Sequence, residues 1–302
     1  MTSGARPRVL RLLAVLALTA SAAGCSSGRP QPSAAPATTT LPPTTASTPT
    51  GPASTVPVPT SDIHASAFRV YFLRGDVLAV AGRTVPSTPA VAGAAMTALL
   101  GGPTPPEATA GLRSAIPAGS TLRSVSIKDG TATVDLSREF ASGGGSLSMT
   151  ARLAQVTYTL TQFPTVTGVK FRVDGTPVTV FGGEGVILPE PADRSGFESV
   201  TPAILVESPT PGATVTSPLR VWGTANVFEA TFRLEVLNSS GSVVAARTVQ
   251  ATSGTGTRGT FDVTVPISAP PGAMTINVFD LSAKDGSRQH IVSVPVEMGD
   301  PR

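Results

Sequence analysis

One cysteine and two histidines are all the thiol and imidazole that this 302-residue chain contains. With Cys25 alone, no intramolecular disulfide forms and no cluster of thiolates holds zinc. Most acid–base, nucleophilic and zinc chemistry draws on imidazole, and His64 and His290 are separated by most of the chain. A Ser-His-Asp arrangement would have to use His290, which falls in an expected strand and reads as a strand-face histidine. Charge is scarce as well, at 14% of residues. The formal excess of +3 lies wholly in Arg6, Arg8 and Arg11, with no acid before Cys25. Of the 22 Lys and Arg, three precede Cys25, which leaves 19 basic against 19 acidic residues. Nucleic-acid binding needs a net basic surface that releases counterions from phosphates, so that class is excluded. Chemistry by carboxylates alone stays open.

What is present begins with the N-terminal pattern. Three arginines are followed by an apolar run from Leu12 to Leu18 and then by small residues from Thr19 to Gly24. That is the layout of a secretory signal peptide. The cysteine directly after Gly24 makes the stretch resemble a bacterial lipobox, although Ala22 stands where Leu is commonest. Small residues fit an extended backbone into a peptidase cleft, and the thiol accepts the diacylglycerol. The expectation is cleavage after Gly24 and lipidation of Cys25. A transmembrane anchor needs about 20 apolar residues, and the 17 residues 12–28 include several Ser, Thr and Gly. An ordinary secretory signal with an incidental cysteine is the other alternative. It would leave an unpaired thiol in an exported protein.

Between Ser26 and Ser61 the only charge is Arg29, among Pro, Thr, Ser and Ala. Such a stretch cannot bury enough apolar surface to offset the entropy of ordering. It reads as a tether (25–65) biased toward polyproline II, at about 3.1 Å per residue. The mature protein then has no net charge, and the expected anchor places it on the outer face of the cytoplasmic membrane.

The first folded domain (66–190) shows strand pair, helix, strand pair, helix, strand pair. Phe68 to Leu73 and Val77 to Arg83 flank the Gly75-Asp76 turn, and Asp129-Gly130 and Asp174-Gly175 mark two further hairpins. Thr88-Pro89 offers a helix start, Val91, Ala95, Ala98 and Gly102 recur at helical spacing, and Gly101-Gly102-Pro103 ends the run. A longer helix starts at Ser146, with Met149, Leu153, Val156, Leu160 and Phe163 on one stripe. The expected fold class is α+β, a mixed sheet with two main helices on one face. After a linker (191–202), the chain from 203 to 298 has period 2 throughout, with about seven short strands and turn clusters. That pattern predicts an immunoglobulin-like β-sandwich, with Trp222 in its core.

Three polar groupings invite chemistry. Asp135, Ser137 and Glu139 alternate after a strand and present two carboxylates and a hydroxyl. The structural reading is that Ser137 caps a short turn while the acids stay solvated. Gly143-Gly144-Gly145 precedes a helix as a phosphate-cradling loop does, but lacks the Lys-Ser/Thr of a P-loop and reads as a flexible lead-in. Asp280 and Asp285 lack the dense oxygen run of calcium loops and read as turn residues.

The first domain resembles a GerMN domain in Val70-Tyr71-Phe72, Ala98-Leu99-Leu100-Gly101-Gly102-Pro103 and Gly111-Leu112-Arg113-Ser114-Ala115-Ile116-Pro117. The likeness continues in Val134-Asp135-Leu136-Ser137-Arg138-Glu139-Phe140 and Tyr158-Thr159-Leu160-Thr161-Gln162-Phe163. The second resembles the immunoglobulin-like domain that accompanies GerMN in bacterial spore germination proteins. Its carriers are Ser208-Pro209 with Gly212, Val221-Trp222-Gly223-Thr224-Ala225, and Asp285-Gly286-Ser287. The resemblance implies a membrane-tethered, non-catalytic module of the cell envelope, with no catalytic residue, cofactor or metal. Its implied partner is an envelope protein or peptidoglycan. Regulation of a sensor-kinase ectodomain, and a carboxylate-dependent cell-wall hydrolase, are the alternatives.

Overall fold

The computed structural model describes residues 65–181 and 185–300. The signal, Cys25, His64 and nearly all of the tether lie outside them. Ala65–Arg74 (β1) and Val77–Pro86 (β2) pair antiparallel across Gly75-Asp76, Arg74 opposite Val77. Leu112–Arg113 (β3) pairs on the other side of β1, giving the order β2-β1-β3. Between them, Val91–Leu100 (α1) buries Ala92, Ala95, Met96 and Leu99. The buried stripe is thus centred beside the expected one, and Val91 and Ala98 are only half-buried. The helix begins two residues after Pro89, with the Ala90 amide donating to the Thr88 hydroxyl at 3.1 Å.

Pro105–Thr109 (α2) was not legible as a helix, though its start is well marked. The Thr104 amide donates to Glu107 at 2.8 Å, three residues on, and prolines occupy the first positions, as in a capping box. Leu122–Lys128 (β4) and Thr131–Leu136 (β5) form the hairpin expected at Asp129-Gly130, where both turn residues have positive φ. Two positive φ values in a two-residue loop give the twist that matches the flanking strands. After Ser146–Leu160 (α3), Gly168–Val173 (β6) returns parallel to β5, and Thr176–Pro177 (β7) pairs with β6 across Asp174-Gly175. Val180–Phe181 (β8) and Val186–Ile187 (β9) close the domain as a short antiparallel pair. The mixed sheet is therefore β4-β5-β6-β7, and β1 to β3 form a separate antiparallel sheet rather than part of it.

α3 begins at Ser146 as expected but ends at Leu160, short of Phe163. Its apolar stripe Met149, Leu153, Val156, Leu160 is buried, yet so is every other residue from Ala151 to Leu160. A helix buried all round must be covered on its polar face too. The cover is the segment 191–202: a 3-10 stretch, Arg194–Val200, packs on α3 and sends Phe197 and Val200 into the first domain's core. The segment read as a linker is thus packed on the first domain.

The second domain is a sandwich with its own core. One sheet joins Ile204–Ser208 (β10), Leu219–Ala225 (β12) and Gly259–Val265 (β15), in the order β10-β12-β15. The other has the order β11-β17-β16-β13-β14, built from Thr214–Val215 (β11), Thr231–Asn238 (β13), Val243–Gln250 (β14), Gly272–Leu281 (β16) and Arg288–Met298 (β17). Period-2 alternation puts Val221 and Ala225 inward from one sheet, and Leu234, Val236, Ile276 and Val278 from the other. Phe232 and Phe261 meet edge-on across the core, their ring centres 5.0 Å apart.

Candidate binding cleft between the two domains

Four charged or polar side chains join the two domains, and the apolar strands around them explain why. Tyr71 lies in β1, where both neighbours are core residues, so its ring is fully buried. Its hydroxyl donates to Glu207 of β10 at 2.8 Å. Glu207 follows Ile204, Leu205 and Val206, all buried, and is itself only 2% exposed. Arg194 donates to its other oxygen at 2.5 Å, and the Arg69 guanidinium stands 3.5 Å away. A buried carboxylate is tolerated only when paired and hydrogen-bonded, and Glu207 has both. Burial, reinforced by the Glu207 charge, pushes the Tyr71 pKa far above that of an ordinary phenol. Tyr71 therefore acts as a permanent donor.

Aromatic rings finish this junction. Arg194 lies over the Tyr158 ring at 4.5 Å and Arg69 over Trp222 at 4.7 Å. Trp222 is thus half-buried on the face of β12 turned toward the first domain, and not in the sandwich core. A second set holds the same boundary. Arg258 donates to Glu198 at 2.8 and 3.0 Å and to the Pro202 carbonyl at 2.8 Å, and Asn226 donates to Glu198 at 2.7 Å. Burial alone would raise the Glu198 pKa, but the Arg258 and Asn226 hydrogen bonds prevail and lower it. The two domains form one compact unit.

Clefts open along this junction. One, of about 690 Å³, is lined by Arg69, Thr84, Thr210, Pro218 and Arg220. Another, of about 550 Å³, has mostly apolar walls, whose half-buried members are Val77 and Ala79 of β2, Ala203 before β10, and Val292 of β17. Exposed Ile291, Arg74 and His290 also line it. Apolar walls with a few polar groups are the usual form of a binding site. Sequence reasoning missed the junction residues. The one signal was a lone carboxylate, Glu207, closing an apolar strand.

The residues singled out from sequence form no common site: Ser137 meets Glu139 and Asp280 meets His290, but Asp135 and Asp285 each serve a turn. Asp135 accepts from the Gly175 amide at 3.0 Å and so braces the turn after β6. Ser137 is buried and accepts from the Thr121 amide at 3.0 Å. Glu139 stays at the surface, its pKa lowered chiefly by the Ser137 hydroxyl, with Arg138 3.4 Å away. Gly143 and Gly144 take positive φ, and the loop is tied down rather than loose. Buried Arg152 donates to the carbonyls of Phe140, Ser142 and Gly143 at 2.5 to 3.1 Å. Asp285 accepts from Ser287, making a turn. Asp280 faces the His290 ring at 2.8 Å. Among the described residues no group of three His, Cys, Asp or Glu could hold a metal, and no helix is long and apolar enough to cross a membrane.

Known proteins are similar to both halves. Residues 69–179 match the Germane family model, described as sporulation and spore germination. Residues 203–287 match Gmad2, the immunoglobulin-like domain of bacterial spore germination. Among solved structures, the first GerMN domain of the sporulation protein GerM from Bacillus subtilis is similar at 28% identity, covering 43% of this chain and 98% of that one, with a TM-score of 0.37. The tandem GerMN domains of the same protein are similar at 20% identity, covering 61% of this chain and 59% of that one, with a TM-score of 0.38. No curated protein matches the chain. Neither matched family is a known enzyme family. The chain therefore carries a GerMN (Germane) domain at residues 69–179 followed by a Gmad2 immunoglobulin-like domain at residues 203–287, two domains described from sporulation and spore germination.

Proposed function

We propose that this protein is a non-catalytic binding or scaffold module of the bacterial cell envelope, held on the outer face of the cytoplasmic membrane by lipid on Cys25. The observation that carries the reading is the contrast between the carboxylates and the cleft. Asp135 serves a turn, Glu207 and Glu198 serve the junction, and Glu139 stands at the surface. Meanwhile the apolar walls at the junction surround open space of about 550 Å³. Carboxylates engaged as braces are poorly placed for general acid–base work, which needs them free to reach a substrate proton. An open, mostly apolar cleft between two packed domains suits recognition.

Incubating the purified full-length chain with peptidoglycan tests the non-catalytic part. No soluble fragments are expected, with or without Asp135→Ala and Glu139→Ala. Release that disappears in either variant would favour a carboxylate-dependent hydrolase. For the anchor, Cys25→Ala is expected to leave unprocessed precursor and abolish labelling by a fatty-acid probe in cells. Labelling that persists would overturn the assignment.

A further inference from the structure

The larger cleft at the junction, of about 690 Å³, is rich in hydroxyl groups: Thr84 of β2, Ser208 at the end of β10, and Thr210, Thr214 and Thr216 line it together with Arg69. Thr84, Thr214 and Thr216 are exposed, while Ser208, Thr210 and Arg69 are half-buried. None of the five hydroxyls has a hydrogen-bond partner among the described residues. The large apolar residues that border the space, Phe68, Val215 and Leu219, are already buried in the two cores. What remains for a ligand is hydroxyl oxygen, which both donates and accepts. A peptide seeking apolar pockets finds little here; a sugar finds its own chemistry.

Arg69 adds a charge. Its Nε donates to the Tyr71 hydroxyl at 3.3 Å and stands 3.5 Å from Glu207, and its guanidinium lies over Trp222. The two terminal nitrogens have no partner among the described residues. Arg83 and Arg220, which also border the cleft, are taken up by Glu107 and Asp262. Arg194 and Arg69 share the single carboxylate of Glu207, so one positive charge is left over. A planar guanidinium with two free N–H edges is the group best matched to a carboxylate. A further cleft of about 460 Å³ shares Arg69, Glu207 and Arg220 with the first, and Trp222 lines it. The two spaces therefore meet at Arg69, with hydroxyls on one side and an aromatic ring on the other. Polar partners beside one amphipathic ring suit a ligand with both hydroxyls and an apolar face.

Resting on the reading of this chain as a binding module of the envelope, we propose that this groove takes a glycan strand with free carboxylates. Its chemistry is that of wall strands without their peptides: alternating N-acetylated amino sugars that bear lactyl acid groups. Thr84, Thr210, Thr214 and Thr216 exchange hydrogen bonds with sugar hydroxyl and amide groups, Arg69 takes a carboxylate, and Trp222 borders the neighbouring ring. A strand that carries peptide has the same carboxylate locked in an amide bond and forfeits the ion pair.

The test uses the purified full-length chain and a fluorescein-labelled tetrasaccharide of alternating N-acetylglucosamine and N-acetylmuramic acid, its lactyl carboxylates free. The control is the methyl ester of the same molecule. The acid is expected to bind saturably, and the ester about fivefold or more weaker, as for loss of a charge pair that keeps some solvent contact. Unlabelled acid is expected to change the emission of Trp222. Arg69→Gln is expected to abolish the preference for acid over ester. Because Arg69 also belongs to the junction, a chain with Thr214→Val and Thr216→Val, both exposed positions, gives an independent reading. It is expected to bind both forms about fivefold more weakly. Absence of saturable binding, equal binding of acid and ester, or unchanged affinity in the double threonine variant overturns the proposal. So does displacement of the tetrasaccharide by an equal concentration of hexaglutamate, which would make the groove an acidic-peptide site. Photocrosslinkers at Thr216 and, separately, at exposed Leu147 distinguish this failure from failure of the binding reading. Protein adducts in intact cells from position 147 alone would overturn the glycan site and leave a binding module whose surface lies elsewhere. Peptidoglycan turnover dependent on Asp135 would defeat the binding reading itself.

Discussion

Glu207 is the carboxylate at the centre of the junction. Tyr71, Arg194 and Arg69 all converge on it, and almost none of it is exposed. Glu207→Ala leaves two guanidinium groups and a phenol without their acceptor. Breaking a buried pair from one side typically costs about 3–5 kcal/mol, and the expected loss is toward the lower figure because Arg194 keeps some solvent contact. The midpoint of urea denaturation reports it, and an unchanged midpoint would mean that the pair contributes nothing net. Glu198 gives a pH dependence of opposite origin. Its folded pKa lies below the ordinary carboxylate value of 4.5. Its contribution is therefore present above the unfolded pKa and is lost as pH falls through the folded one. Arg258→Ala is expected to flatten that part of the stability profile on the acid side, as measured by denaturation at a series of pH values.

At the scale of elements, α3 shows what packing adds to a helix. Gln155 is fully buried and donates to the Tyr71 carbonyl at 2.9 Å while accepting from the Ala115 amide at 2.8 Å. It ties α3 to β1 and to the loop after β3. Thr157 is equally buried, but its hydroxyl has no partner among the described residues. The two positions predict opposite responses. Gln155→Ala strands two backbone groups and is expected to destabilise by about 1–3 kcal/mol. Thr157→Val keeps the shape and removes the unsatisfied hydroxyl, and is expected to be neutral or to stabilise by up to about 1 kcal/mol. Thermal melts of both variants check the pair, and a destabilised Thr157→Val would point to a partner for that hydroxyl.

At the scale of the whole molecule, the junction determines whether two domains behave as one. The 3-10 segment enters the first core, β10 continues directly into the second, and Glu207 is bonded back to β1. Such linkage predicts a single cooperative unfolding transition for both domains. Trp222, the only tryptophan, lies beneath Arg69 at this boundary and reports the junction directly. Its emission is expected to change together with far-UV circular dichroism in the parent chain. In a chain carrying both Arg194→Ala and Glu207→Ala, the emission change is expected to come at lower urea than the loss of strand signal. Coincident transitions in that double variant would show that the apolar contacts alone couple the domains.

What could be read from the sequence was what neighbouring residues decide among themselves. The Asp129-Gly130 and Asp174-Gly175 turns were legible because positive φ is a local demand that Gly meets cheaply. The sandwich strands were legible because period-2 alternation is a local record of a two-faced sheet. α3 announced its start at Ser146 and its apolar stripe, but not the burial of its polar face. That burial depends on residues 194–200 folding back onto it, and no periodicity within the helix encodes a cover brought from outside. Trp222 misled for the same reason: its strand placed it, while Arg69, more than 150 positions earlier, determined which side of the sandwich it serves. The lone carboxylate Glu207 could be noticed in sequence, but its meaning could not. Only the tertiary structure brings Tyr71, Arg194 and Glu207 within hydrogen-bonding distance and leaves an apolar cleft between two sheet edges. Contacts between distant segments are set by how whole faces pack, and that information is distributed over both domains.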